Sequence, residues 1–184
     1  MKTVLIACLL VLAAPAFAQT KSRKAPPKET PLIKGVRALD AKNGFRGYKF
    51  GMPIESISGL KRVETSLFDG AVYERSNEHK GVGPVQLTSL WFVSVKGRLS
   101  AIIMHCYGSV NAGNLLAALQ LQYGPGLEYS DAHTSWPGKR VTMDYKLSGS
   151  TNEECSVIIL SNAAAKQQAG LADDATISKS GKDL

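Results

Sequence analysis

Leu87-Thr88-Ser89-Leu90-Trp91-Phe92-Val93-Ser94-Val95-Lys96-Gly97-Arg98-Leu99-Ser100-Ala101-Ile102-Ile103-Met104-His105-Cys106-Tyr107 is the stretch that decides how this chain is read. Two runs rich in β-branched and aromatic residues, 87–95 and 99–107, are joined through Lys96-Gly97 and form a β-hairpin. Neither run alternates cleanly. Leu90-Trp91-Phe92-Val93 and Ala101-Ile102-Ile103-Met104 are apolar on both sides, which places these strands centrally, with both sheet faces at least partly covered.

Beyond the hairpin, residues 111–123 read as a helix. Leu115, Leu116 and Leu119 form one stripe, Ser109 or Asn111 caps the start, and Gly124-Pro125 ends it. Pro137-Gly138 then turns the chain into 141–147, which alternates strictly, so Val141, Met143, Tyr145 and Leu147 face inward and the other side meets water. Residues 155–160 form a last apolar strand. Before the hairpin, 71–75 adds a strand, and 52–60 reads as a short helix: Pro53 suits its first turn, Ile54 and Ile57 share a face, and Gly59 takes the left-handed stop. The expected fold class is α+β, an antiparallel sheet of about five strands packed against one main helix and one short helix.

The two ends differ from this body. Residues 1–18 carry Lys2, a nearly continuous apolar run over 4–14 and Ala16-Phe17-Ala18, the pattern of a secretory signal peptide cleaved before Gln19. The run is too short to span a bilayer. Leu5-Ile6-Ala7-Cys8 superficially resembles a lipoprotein box, but cutting there leaves too short an apolar region before the cut and too apolar a mature start, so Cys8 leaves with the signal. Residues 19–42, with Lys24-Ala25-Pro26-Pro27-Lys28 and Thr30-Pro31, read as a basic, Pro-containing tether, although Leu32, Ile33, Val36 and Leu39 give it something to dock with. A single domain follows over 43–162, then a flexible tail over 163–184, with little to bury.

The formal charge of +7 invites a nucleic-acid reading, but its distribution excludes one. Seven basic residues lie between 19 and 42 against Glu29 and Asp40, whereas 43–184 carry fourteen basic and thirteen acidic residues. The charge sits on the arm, and a nucleic-acid-binding domain carries its basic patch on the fold. Two cysteines survive processing, Cys106 and Cys155. An even count in an oxidising compartment favours a disulfide, with two buried free thiols as the alternative; the spacing excludes a CxxC redox pair. If bridged, the end of the second hairpin strand and the start of the final strand are neighbours.

Phe45-Arg46-Gly47-Tyr48-Lys49-Phe50-Gly51-Met52, followed by Ile54-Glu55, resembles the opening of a group of small uncharacterised bacterial periplasmic proteins that begin with a Phe-x-Gly-x-x-(Trp/Phe)-Gly element and a short helix. Tyr123-Gly124-Pro125, then Trp136 and Gly138 before a strand, fit the same pattern over roughly residues 43–160. Gly51-Met52, Arg75 and Gly97-Arg98-Leu99 are also similar to the small lipoproteins that help assemble outer-membrane β-barrels, whose lipidated cysteine this chain lacks. The resemblance implies a compartment and a fold but no activity.

Three histidines offer chemistry. Asp131-Ala132-His133-Thr134-Ser135 holds carboxylate, imidazole and hydroxyl, but members of a triad are oriented by geometry rather than adjacency, and along an extended segment they stand about 7 Å apart. A polar connection into Trp136 is the simpler reading. Glu78-His79 lies in a Gly-rich polar loop without a third metal ligand, and no HExxH or dense ligand cluster occurs. His105, on the face of Leu99, Ala101 and Ile103, reads as a satisfied, partly buried residue. Glu153-Glu154 and Asp173-Asp174 are adjacent pairs whose side chains diverge. Gly81-Val82-Gly83-Pro84 lacks the Lys-Ser/Thr and the helix of a phosphate loop. Among the aromatics, Trp136 beside the Pro-Gly turn is the candidate for a partner contact.

These observations favour an exported, periplasmic or secreted protein that binds or scaffolds a protein or envelope-polymer partner, without cofactor, metal or nucleic acid and with no transmembrane segment after processing. An exported hydrolase with a dispersed active site, or an inhibitor of a secreted hydrolase, is the alternative. The enzyme reading requires His105 or His133 to meet a carboxylate or hydroxyl in a concave pocket; the binding reading requires a shallow apolar patch.

Overall fold

The hairpin forms as the sequence predicts, and it carries one irregularity that shapes the molecule. In the computed structural model, which describes residues 30–148 and 153–167, Lys96 (φ 50°) and Gly97 (φ 74°) make a turn with positive φ at both central positions. Val93 pairs with Ala101 but Ser94 pairs with Leu99, so Ser100 has no partner opposite. Its hydroxyl accepts the Val95 N–H (3.3 Å) and donates to the Arg98 carbonyl (2.9 Å). This bulge switches the facing of the second strand. Leu99 therefore joins the core beneath the helices, while Ala101 and Ile103 point to the opposite face.

The chain runs through α1 (Pro31–Lys42), a ribbon of β1 (Gly44–Phe45) and β2 (Tyr48–Lys49), a 3-10 turn (Ile54–Ser56), β3 (Leu60–Leu67), β4 (Gly70–Arg75), a ribbon of β5 (Gly81–Val82) and β6 (Val85–Gln86), and then the hairpin β7 (Ser89–Val95) and β8 (Arg98–Tyr107). After these come α2 (Ser109–Tyr123), β9 (Leu127–Ser130), β10 (His133–Pro137), β11 (Val141–Ser148) and β12 (Glu154–Ser161). Eight strands form one antiparallel sheet in the order β3-β4-β7-β8-β12-β11-β10-β9. Two meanders, one from each half of the chain, thus meet along β8 and β12. Cys106 and Cys155 are register partners on that seam, 5.2 Å apart between Cα atoms, and form a disulfide.

Both helices cover one face. Ala112, Leu115 and Leu119 of α2 and Leu39 of α1 pack on Phe92, Ile102, Met104, Met143, Tyr145, Val157 and Ile159. The alternation in β11 reads as expected, with Val141, Met143 and Tyr145 buried and the Tyr145 hydroxyl donating to the Ala112 carbonyl (3.1 Å). The start of α2 differs: Gly108 occupies the cap position, and Asn111 donates its side-chain amide to the Tyr107 carbonyl instead.

The expected α+β sheet of about five strands is overturned. The fold is mostly β, with eight strands in the sheet, two additional ribbons, and two substantial helices. Three sheet strands escaped the sequence reading because period-two burial does not mark them. All four residues of β9 are exposed, β3 opens on Leu60-Lys61-Arg62 at the sheet edge, and β10 buries the polar Thr134 and Ser135 between two neighbours. The expected short helix is only the 3-10 turn, because Ile57 is already extended (φ −93°, ψ 106°) as the chain enters β3.

Residues 31–42, taken from sequence as the end of the tether, belong to the body. Thr30 caps α1 with Pro31 in its first turn, and Asn43 closes it in the left-handed conformation. Gly35 lets α1 approach α2 at backbone distance: a Cβ there would sit inside the Tyr123 carbonyl. The Asp40 carboxylate accepts N–H groups from Lys139 (2.8 Å), Arg140 (2.8 Å) and Val141 (3.0 Å), tying the helix to the β10–β11 turn. The proposed signal segment, residues 19–29 of the arm and 168–184 of the tail lie outside the described residues.

Two outcomes follow from this packing. Gly35→Ala forces the helices apart and lowers unfolding stability by about 2–3 kcal/mol in urea titrations, against under 0.5 for Ala38→Gly corrected for helix propensity. Reducing the Cys106–Cys155 bridge, which spans 49 residues, lowers stability by about 4 kcal/mol on the chain-entropy account, read as the shift between guanidinium curves with and without reductant.

Candidate functional site

The face of the sheet that α1 and α2 leave uncovered collects Trp91, His105, His133 and Asp144. Directly opposed residues in antiparallel strands share a face, so the register fixes which groups meet there. One row crosses the sheet as Lys61, Glu74, Trp91, Ile103, Ile158, Asp144, Ser135 and Leu127. The row on one side carries Val72, Val93, Ala101, Leu160 and Thr142. On the other side lie Ser89, His105, Ser156, Lys146 and His133. Adjacent rows stand about 7 Å apart along the strands.

The β3-to-β12 half of this face is apolar. Val72, Val93, Ala101 and Ile103 are buried, with Val63, Leu67, Trp91, Ile158 and Leu160 half-buried around them. Trp91 is held at both ends. Its indole N–H donates to Glu74 Oε1 (2.6 Å), and the His105 ring packs edge-on against it, 4.8 Å between centroids. His105 Nε2 is buried without a hydrogen-bond partner, contrary to the satisfied histidine expected from sequence. Burial is the main influence on this imidazole and holds its pKa below the ordinary 6.5, with the Glu154 charge opposing.

The other half is polar. His133 Nε2 lies 3.1 Å from Asp144 Oδ1, and the Tyr129 ring stacks on the imidazole, 5.0 Å between centroids. The carboxylate partner is Asp144 of β11, not the adjacent Asp131, because β10 and β11 are register neighbours while Asp131 sits in the exposed turn before β10. Ser135 stands opposite Asp144 but is buried, and among the described residues no hydroxyl bonds either ring nitrogen of His133. The pair therefore lacks a poised nucleophile.

Trp136, the sequence candidate for partner contact, is fully buried, and its indole N–H donates to the Gly124 carbonyl (2.9 Å). It ties β10 to the end of α2 and presents nothing to a partner. Cys106 and Cys155 face the helices and serve the seam alone.

A second polar cluster holds the loop before β7 and was missed from sequence. The nearly buried Glu78 carboxylate accepts from the Tyr48 hydroxyl (3.0 Å), Arg75 (3.0 Å) and Arg46 (3.4 Å). Arg75 also donates to Tyr48 Oη (2.9 Å) and to the Ser58 carbonyl (2.9 Å), and Arg46 to the His79 and Gly81 carbonyls. Burial, then the bond to Glu78, raises the Tyr48 pKa. With two guanidinium groups sharing one carboxylate, the arrangement fastens the loop around Glu78 to β2 and β4 rather than offering a free acid or base. Glu78 reads from sequence as part of an exposed loop because its partners Tyr48 and Arg46 lie 30 and 32 residues away, whereas His79 is exposed as expected.

Among the described residues no three His, Cys, Asp or Glu side chains are placed to hold a metal ion, and no helix is long and apolar enough to cross a membrane. Comparison with family models, curated proteins and solved structures finds no match.

The His105 environment has a pH signature. As the pH falls below about 6.5 the unfolded chain takes up a proton at this residue while the folded chain resists it, so His105 withdraws stability between 6.5 and its lower folded value. Above 6.5 it has no such effect. His105→Phe removes this component: unfolding curves recorded between pH 7.5 and 5 show the parent losing stability relative to the variant. A constant difference across that range contradicts the assignment.

Proposed function

We propose that this chain is an exported, non-enzymatic binding or scaffolding protein of the bacterial envelope, and that the helix-free face around Trp91 meets a protein partner. The observation that carries the reading is the half-buried apolar border of Val63, Leu67, Trp91, Ile158 and Leu160 on the sheet face opposite α1 and α2. An apolar patch fixed around an anchored indole is what an interface core needs. Export is supported by the character of residues 1–18 and by the disulfide, which persists in oxidising compartments. The resemblance of residues 45–55 to periplasmic proteins points to the same compartment.

The alternative, a hydrolase with a dispersed site, draws on the His133–Asp144 pair. Without a hydroxyl or thiol at the imidazole that pair is a polar border to the apolar patch.

A photo-crosslinker at position 158 is expected to give one adduct in envelope extracts, and one at the exposed Leu121 of α2, 91% accessible, none. Leu160→Lys lowers the yield at position 158 at least tenfold while the melting temperature stays within a few degrees. Protein from the periplasm begins at Gln19. Turnover of a hydrolase substrate abolished by His133→Ala overturns the binding reading, and intact Met1 on cytosolic protein overturns export.

A further inference from the structure

At one end of the molecule, away from the helix-free face, the fold gathers cations without matching carboxylates. A cavity of about 390 Å³ opens between the β10–β11 turn, the end of β12 and the segment leaving α1. Its charged wall is Lys139, Arg140 and Lys166, its polar wall Asn43 and Asn162, and its floor the buried Phe50. No acidic side chain among the described residues lines it. Among the described residues the three cations make no ion pair.

The backbone carrying Lys139 and Arg140 is fixed before any ligand arrives. The one carboxylate bound to the turn, Asp40, is occupied by three backbone N–H groups, so it holds the Lys139-Arg140 loop in place without contacting either side-chain charge. Asn162 is locked on both sides, its amide donating to the Gly138 carbonyl (2.8 Å) and its carbonyl accepting from Thr142 (2.9 Å). Next to Asn43, the Lys49 ammonium donates to the Lys42 carbonyl (2.6 Å). Lining of one sign in a concave site concentrates counter-ions, and a cavity of this volume suits a small ligand rather than a bare monoatomic ion.

We infer that this cavity is a binding site for a multiply charged anion of the phosphate class, either a free phosphorylated small molecule or the phosphate of a lipid headgroup. The residual charge of 43–184 is almost neutral, so the site reflects placement and not composition. The inference does not depend on the partner face proposed above, which is lined by other residues.

Pyrophosphate is the soluble probe, titrated calorimetrically into the full chain in 100 mM NaCl. Vesicles of phosphatidylglycerol, with phosphatidylcholine as reference, are the membrane probe. Saturable binding of pyrophosphate, or of phosphatidylglycerol vesicles alone, is expected, the second outcome assigning the phosphate to a headgroup. Substituting Lys139→Gln, Arg140→Gln and Lys166→Gln together weakens that binding at least tenfold and flattens its salt dependence. Lys34→Gln, on the exposed side of α1, leaves it unchanged. Asp40 and Asn162 stay in place, so the triple variant retains its melting temperature within a few degrees, which separates loss of binding from loss of fold. Binding that survives the triple substitution, or none to either probe, overturns the site.

Discussion

The β8–β12 seam is the constraint on which the rest of the molecule depends. The first half of the chain makes β3, β4, β7 and β8, the second half makes β9 to β12, and within the sheet the two meet only where β8 pairs with β12. Those strands are distant in sequence, so their pairing carries the full entropy of closing the intervening chain. Cys106 and Cys155 sit opposite each other on that seam and remove much of this freedom from the unfolded state. Helix α2, packed across both halves, then covers the join.

A sheet with helices on one side has two unlike faces. The helix side is a continuous apolar core with aromatic residues at several depths, Phe92, Tyr145 and Trp136 among them. The opposite side is assembled row by row from the register, and its character changes along each row from Val, Trp and Ile to Asp, Ser and His. One bulge at Ser100 decides this composition, because it turns Leu99 to the core and Ala101 and Ile103 away from it. Without that extra residue the apolar patch around Trp91 would have a different membership.

The ends of the strands are organised by polar side chains that reach far along the chain. Asp40 holds a turn roughly a hundred residues later, and Glu78 gathers Arg46, Tyr48 and Arg75. Both are carboxylates used to satisfy donors rather than to react. A single acceptor that fixes several donors orders a loop cheaply and leaves neighbouring cations without a counter-charge. The cation-lined cavity at Lys139, Arg140 and Lys166 is a by-product of that economy, and the patch around Trp91 lies on the face opposite α1 and α2.

The residues alone determined the hairpin over 87–107, the helix ending at Gly124 and the inward set of β11, and favoured a bridge between Cys106 and Cys155, because each is written in local periodicity, turn chemistry or arithmetic. Tertiary structure decided the number of strands, the incorporation of residues 31–42 into the body, the burial of Trp136 and the partners of Glu78 and His133. In those cases the energy comes from neighbours far along the chain. Thr134 and Ser135 read as a polar connection until two strands flank them, and the place of Gly35 is set by the Tyr123 carbonyl, which occupies the space a side chain would take.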